Sequence, residues 1–96
     1  MPILIKDNID ATGMPTTAGS YVLEHNVPAK DSEVARRLRL AGAVILGKTD
    51  TVEFAAAGRR AATRHPMNPA HSPGGSSSGS GAAVGDGQVS LAFGTQ

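Results

Sequence analysis

Two short apolar runs with an amphipathic segment between them constrain the fold more than any other feature of this sequence. Pro2-Ile3-Leu4-Ile5 and Ala43-Val44-Ile45-Leu46 are short and rich in branched side chains, which predicts two buried strands. The second run is entirely apolar, which is typical of a strand covered on both faces. A helix between two such strands predicts a right-handed crossover that joins a parallel pair.

The intervening helix is predicted from its apolar spacing and its terminal residues. Asp31 stands where an N-cap is expected, and Gly42 offers a C-terminal stop. The apolar positions that recur at helical spacing are Val34, Ala35, Leu38 and Ala41. Arg36, Arg37 and Arg39 fall away from this stripe, which predicts a solvated face rather than a binding patch.

Loops are predicted to make up much of the remaining chain. Glycine, proline and threonine residues break up the pattern from Ile9 to Lys30, so we expect a long loop with one short element at Tyr21-Val22-Leu23. Residues 59 to 75 are expected to form a second loop. Val89 to Phe93 has the composition of a further strand.

Two more helices are predicted on either side of the second loop. Val52 to Ala57 is expected to form a short helix that Asp50 or Thr51 caps and Gly58 ends. The small residues from Gly79 to Val84 are expected to form another, beginning inside a run of serine and glycine.

The composition excludes several classes of function. A formal net charge of +1 and dispersed arginines argue against nucleic-acid binding. The absence of cysteine excludes disulfides and thiolate metal ligands, and we predict neither a metal nor a cofactor. No apolar run approaches the roughly 18 residues that span a bilayer, and no signal-peptide pattern opens the chain, so we expect a cytoplasmic protein.

The segment Gly42–Thr49 satisfies the phosphate-loop pattern G-x-x-x-x-G-K-[ST], but its context argues against nucleotide binding. A phosphate loop follows a strand and opens a helix, with N–H groups that converge on phosphate. Here the segment follows a helix, and the β-branched Val44 and Ile45 prefer an extended backbone. The pattern therefore predicts a strand.

The candidate functional residues are Lys6, which ends the first strand, and the Ser/Gly run Ser72–Gly81. Glycines let a backbone approach a ligand closely, and the hydroxyls supply proton donors and acceptors at the same place. The N-terminus of a helix that begins in the run suits a developing oxyanion or a bound carboxylate. A flexible linker has a similar composition, but too few residues follow the run to form a second domain.

Several blocks in the order expected resemble the amidase signature family. The blocks are Pro2–Asp10, Gly13–Ser20, Ala41–Thr49, Glu53-Phe54 and Pro73–Gly81. The resemblance implies a three-layer α/β/α fold around a mixed, largely parallel sheet. It also implies hydrolysis of a carboxamide C–N bond, giving a carboxylic acid and ammonia or an amine, by a Ser-cisSer-Lys triad.

The resemblance also assigns site residues. Lys6 aligns with the catalytic lysine of the family, and Ser76 aligns with the bridging serine that follows a cis peptide bond. The residues expected to shape the site around them are Gly74, Gly75, Ser77 and Ser78. Ser77 and Ser78 are expected to hydrogen-bond either the lysine or the loop backbone.

The nucleophilic serine of the family follows a Gly-Thr-Gln-like stretch, and this chain ends within such a stretch at Gly94-Thr95-Gln96. We therefore expect residues 1–96 to be a partial amidase signature domain, without the nucleophile and the N-terminal helical region, and inactive alone. The expected substrate is a small-molecule amide, and a homodimer of the full-length protein is left open. The alternative is a non-catalytic small domain whose Ser/Gly loop binds an anion or a partner chain.

Overall fold

The computed structural model describes residues 1–56 and 59–96. The described chain forms three strands, two α-helices and two 3-10 helices. In chain order these are β1 (Pro2–Lys6), a 3-10 helix (Tyr21–Leu23), α1 (Glu33–Leu40), β2 (Val44–Thr49), a 3-10 helix (Glu53–Ala55), α2 (Ser78–Gly85) and β3 (Ala92–Phe93). The short element predicted at residues 21 to 23 is confirmed.

The three strands form one parallel sheet in the order β2-β1-β3. The connection through α1 leads from the central strand to one edge, and the connection through α2 leads back across to the other edge. Because parallel crossovers are right-handed, two crossovers in opposite directions place their helices on opposite faces of the sheet. The predicted parallel pair and the α/β/α class are confirmed.

The core lies between the sheet and α1. Ile3 and Ile5 of β1 are completely buried, and they cluster with Ala35 of α1 and Ile45 of β2. Alternate residues of a strand point to opposite faces, so Lys6 is directed away from this cluster, toward the face that carries α2. Burial of each isoleucine stabilises the fold by roughly 1.5–3 kcal/mol.

The N-cap of α1 is Ser32, so the prediction of Asp31 was wrong by one residue. The Ser32 hydroxyl accepts a hydrogen bond from the Ala35 amide at 3.2 Å. Asp31 is engaged elsewhere, because its carboxylate accepts from the Thr12 amide at 2.7 Å and from Arg39 Nε at 2.9 Å. The carboxylate therefore ties the loop before the helix to the last turn of the helix.

Gly42 stops α1, as predicted, two residues after its last helical residue, Leu40. Gly42 has a φ of +92°, and its amide donates to the Arg39 carbonyl, while the Ala43 amide donates to the Leu38 carbonyl. This pair of bonds is a Schellman motif, in which glycine tolerates the left-handed backbone that other residues resist. The motif turns the chain directly into β2.

β2 is covered on one face only, so the prediction of a doubly covered strand was wrong. Ile45 is 5% exposed, but Val44 and Leu46 are 56% and 58% exposed. β2 is an edge strand, and a register shift opposite Ile3 and Leu4 leaves Leu46 without a pairing partner. The strand runs extended through Thr49, which confirms that this segment is not a phosphate loop.

The helix predicted from Val52 is a single 3-10 turn, Glu53–Ala55. Phe54 and Ala55 have φ values of +50° and +55°, which an α-helix cannot accommodate. Neither candidate cap acts as one, because Asp50 accepts from Thr63 and the Thr51 hydroxyl donates to the Val52 carbonyl. The predicted end of this helix, at Ala57 and Gly58, lies outside the described residues.

The helix predicted in the Ser/Gly run is α2, and it packs tightly against the end of β2 because its buried residues are small. The Gly79 amide donates to the Asp50 carbonyl at 2.9 Å, and a Cβ on Gly79 would lie 2.3 Å from the Asp50 nitrogen. Ser80 Oγ donates to the Phe93 carbonyl at 2.9 Å and lies 2.6 Å from Thr49 Oγ1. These contacts fix the start of α2 over the carboxyl ends of the strands.

β3 extends over only Ala92–Phe93, so the strand predicted from Val89 is shorter than expected. Its two residues pair with Leu4 and Ile5 of β1. Among the described residues, no helix has both the length and the apolar character needed to cross a membrane.

Gly79→Ala should destabilise the protein strongly, whereas Gly81→Ala should not. The new methyl group at position 79 would lie 2.3 Å from the Asp50 nitrogen, so the backbone would have to shift, at a cost of about 1–3 kcal/mol. Gly81 lies in the same helix with open space around its Cβ position, so alanine there should add about 0.5–1 kcal/mol through helix propensity. Urea denaturation measures both. Equal midpoints for the two variants would contradict this account of α2 packing.

Candidate active site

The candidate site lies at the carboxyl ends of β1 and β3. Lys6 is the last residue of β1, and Thr95 follows β3 by two residues. In open parallel sheets, ligand sites form beyond the carboxyl ends of the strands, where successive connections leave in opposite directions. The order β2-β1-β3 places this point between β1 and β3, next to the start of α2.

The Lys6 side chain is fully buried and bonded only to neutral groups. Its exposed fraction is 0%. Its Nζ lies 2.6 Å from Ser76 Oγ, 2.8 Å from Thr95 Oγ1 and 3.4 Å from the Thr95 carbonyl oxygen. The lysine predicted from the end of the first strand and the first serine after Gly74-Gly75 are thus in direct contact, although 70 positions separate them.

The amine of Lys6 has no ionic partner among residues 1–56 and 59–96. The neighbouring carboxylate of Asp7 points elsewhere and pairs with Lys48 at 3.1 Å. Removal of water from an ammonium group disfavours the charged form, and no carboxylate compensates within this part of the chain. Burial therefore lowers the pKa of Lys6 below its usual range.

The loop before α2 holds Ser76 by backbone contacts. The Gly75–Ser76 peptide bond is cis. The Ser76 carbonyl accepts from the Val52 amide at 3.1 Å, and Ser78 Oγ donates to the Gly74 carbonyl at 2.7 Å. Each of these bonds fixes one side of the turn, so the Ser76 hydroxyl is presented to Lys6 by a constrained backbone.

Ser77 and Ser78 bond the backbone rather than the lysine. Ser77 Oγ donates to the Thr95 carbonyl at 3.0 Å and accepts from the Thr95 amide at 3.1 Å. This reciprocal pair joins the loop before α2 to the segment after β3. Between the two alternatives that the sequence left open for these serines, the structure selects the backbone.

Thr95 and Asn8 belong to the site and were not predicted. Thr95 Oγ1 accepts from Asn8 Nδ2 at 2.9 Å as well as contacting Lys6, so it lies between both side chains. Asn8 Oδ1 is buried with no hydrogen-bond partner in the described part of the chain. The sequence signal that could have identified Thr95 and Asn8 was their position, because polar residues that follow two neighbouring parallel strands meet at one edge of the sheet.

Lys48 anchors the long loop that follows β1. Its Nζ donates to Asp7, to the Pro15 carbonyl at 3.2 Å and to Thr16 Oγ1 at 2.9 Å. Asp7 also accepts from the amide and hydroxyl of Thr17. This network binds the long loop after β1 to the ends of two strands, and it directs the Asp7 carboxylate away from Lys6.

The sequence profile of the family described as Amidase matches residues 1–96, which is the whole chain. The chain belongs to the amidase signature family. This confirms the resemblance that the separate sequence blocks indicated.

Individual members of the family are similar to the chain throughout its length. A glutamyl-tRNA(Gln) amidotransferase subunit of Synechococcus sp. (strain WH7803) is 46% identical over 100 residues, covering 99% of the chain and 20% of that protein. The structure of native peptide amidase from Stenotrophomonas maltophilia matches with a TM-score of 0.88 and 44% identity, covering 96% of the chain and 21% of the amidase. The corresponding amidotransferase subunit of Thermotoga maritima matches with a TM-score of 0.90 and 40% identity, covering 98% of the chain and 22% of that protein.

The chain thus spans about a fifth of the length of the relatives that it matches. The match to these two structures extends over nearly all of the chain's residues, so they share its fold over this segment.

Lys6→Met should remove a pH-dependent contribution to stability. Because burial lowers the pKa of Lys6, the unfolded chain keeps this proton at pH values where the folded protein has released it. Stability rises with pH wherever the unfolded state binds more protons. As the pH rises from the lowered pKa of folded Lys6 to the usual lysine pKa, the free energy of unfolding of the wild type should therefore rise relative to that of Lys6→Met. Above the usual lysine pKa the difference should level off. Urea denaturation across this pH range measures the difference, and parallel curves for the two proteins would contradict it.

Proposed function

We propose that this chain supplies the base and the relay of an amidase that cleaves the C–N bond of a small-molecule carboxamide. The observation that carries the proposal is the contact of 2.6 Å between the fully buried Lys6 amine and the Ser76 hydroxyl. A buried amine without a counter-ion favours the neutral form, and a neutral amine has a lone pair that can accept a proton. Lys6 is therefore suited to act as a general base.

The proposed reaction uses Ser76 as a proton relay. A serine hydroxyl is a weak nucleophile at neutral pH and needs a base to take its proton as it attacks. The nucleophilic serine, which the family resemblance places after Gly94-Thr95-Gln96, gives its proton to Ser76 Oγ while Ser76 gives its own to Lys6 Nζ. The serine oxygen then bonds to the amide carbon, and the carbonyl oxygen takes the negative charge.

Collapse of this intermediate reverses the proton path. The Lys6 ammonium returns a proton through Ser76 to the nitrogen of the breaking C–N bond, so ammonia or an amine leaves and an acyl-enzyme remains. Water then attacks the acyl carbon and passes its proton through Ser76 to Lys6. The C–O bond to the nucleophilic serine breaks, the proton returns through Ser76 to that serine oxygen, and the carboxylic acid leaves. Both half-reactions leave Lys6 neutral and Ser76 protonated, as at the start.

The neighbouring residues support these two roles by position. The cis Gly75–Ser76 bond agrees with the bridging serine that the family resemblance implies. Thr95 Oγ1, itself bonded to Asn8, contacts the Lys6 amine alongside Ser76 and helps to keep the amine at the relay. The loop is fixed by the Ser78–Gly74 hydrogen bond, and Ser77 locks Thr95 in place.

Lys6→Met and Ser76→Ala should each abolish amide hydrolysis in the full-length protein while the fold is retained. Each removes one member of the proton path, and general acid–base catalysis typically contributes roughly 10²–10⁴-fold, so kcat/KM should fall by roughly this factor. Ammonia release from a panel of carboxamides measures the activity, and thermal unfolding checks the fold.

Matched controls are Lys30→Met and Ser90→Ala, which change the same residue types at exposed positions and should keep wild-type activity. Turnover near the wild-type rate in either Lys6→Met or Ser76→Ala would refute the assigned roles. Absence of amide hydrolysis by the wild-type full-length protein across the panel would favour the alternative in which the Ser/Gly loop binds an anion or a partner chain without catalysis.

A further inference from the structure

A cavity of about 440 Å³ opens beside the Ser/Gly loop. Its size is within the range of small-molecule sites. Gly74 and Gly75, which immediately precede Ser76 in the chain, form part of its wall, as does Ser78 at the start of α2. Val52 and Ala61 supply apolar lining, which favours a ligand with a short carbon chain.

The charged residues that line this cavity in the described part of the chain are all positive. Arg60 and Arg64 both line it, and its described lining contains no aspartate or glutamate. The remaining polar lining consists of neutral hydroxyls, from Thr63, Ser72 and Ser78. An open space with two guanidinium groups and no carboxylate attracts anions.

The two arginines are distinguished by their lack of partners. Arg36 and Arg37 pair with Glu33, Arg39 pairs with Asp31, and Arg59 Nε donates to the Gly19 carbonyl. Within the described residues, neither the Arg60 nor the Arg64 guanidinium makes a hydrogen bond or an ion pair. In the part of the chain that the structure describes, the other arginines are therefore paired, and the two that line one cavity are not.

The carboxylate of Asp50 is already engaged and does not neutralise them. Its Oδ2 accepts from the amide and hydroxyl of Thr63, and its Oδ1 lies 3.9 Å from the Arg59 guanidinium. An external carboxylate is therefore the group that would complete the hydrogen bonding of Arg60 and Arg64, because the guanidinium fork matches carboxylate geometry.

We propose that this cavity binds a carboxylate carried by the amide substrate, so that the enzyme prefers monoamides of short dicarboxylic acids to neutral amides of the same length. The inference rests on the proposed function, since it requires that the amide be cleaved beside Ser76. Arg60 and Arg64 are its specificity-determining residues, and they act by holding the distal charge rather than in the proton path.

The test compares succinamate with butyramide, which have four-carbon chains but differ in the distal carboxylate. The ratio of their kcat/KM values should favour succinamate in the wild type and fall on the order of tenfold in the Arg60→Gln/Arg64→Gln double variant. The Arg60→Lys/Arg64→Lys variant keeps the charge but loses the fork, and should give an intermediate ratio. Arg37→Gln, which changes an exposed arginine of α1, should leave the ratio at its wild-type value.

Failure of this inference is distinguishable from failure of the proposed function. A ratio that is the same in the wild type and in Arg60→Gln/Arg64→Gln would overturn the carboxylate site while hydrolysis itself stands. If the wild type hydrolyses neither amide, calorimetric titration with succinate decides: binding that the double variant weakens supports the anion site, and no binding to the wild type overturns it.

Discussion

The structure depends on the burial of one amine against neutral oxygen atoms. Lys6 is fully enclosed, and its Nζ contacts hydroxyl and carbonyl groups of Ser76 and Thr95 without a carboxylate among its described neighbours. An ion pair would have stabilised the charged form and made the lysine a poor base. The nearby Asp7 pairs with Lys48 instead, so its carboxylate does not serve as a counter-ion for Lys6.

The sheet order explains why these groups meet. Because β1 lies between β2 and β3, the last residue of β1 is adjacent both to the chain that leaves β3 and to the start of α2. Gly79 lets α2 approach the Asp50 backbone, and this approach brings the loop with Ser76 over the end of β1. The Ser77–Thr95 hydrogen bonds then join the loop before α2 to the segment that follows β3. Small residues and parallel strands thus determine the position of the amine.

Much of this arrangement could be predicted from the sequence, and the exceptions have physical causes. The apolar runs indicated the parallel strands, and Lys6 and Ser76 were identified from the strand end and the family resemblance. Asp31 was predicted as the N-cap and Ser32 is the observed one. Both residue types cap helices, and the contact between Asp31 and Arg39 is not visible in the local pattern. Thr95 was missed because its role arises only when two distant strands lie side by side.

The most direct test of this account is an NMR titration of the Lys6 amine in protein with isotopically labelled lysine side chains, with the signal assigned by its absence in Lys6→Met. The account predicts a pKa below the usual lysine range, because burial without a counter-ion disfavours the ammonium form. It also predicts that the NMR signal of the Lys6 amine shifts in Ser76→Ala, because this substitution removes the hydroxyl that lies 2.6 Å from Lys6 Nζ. A Lys6 amine that titrates like a solvent-exposed lysine would contradict the central claim.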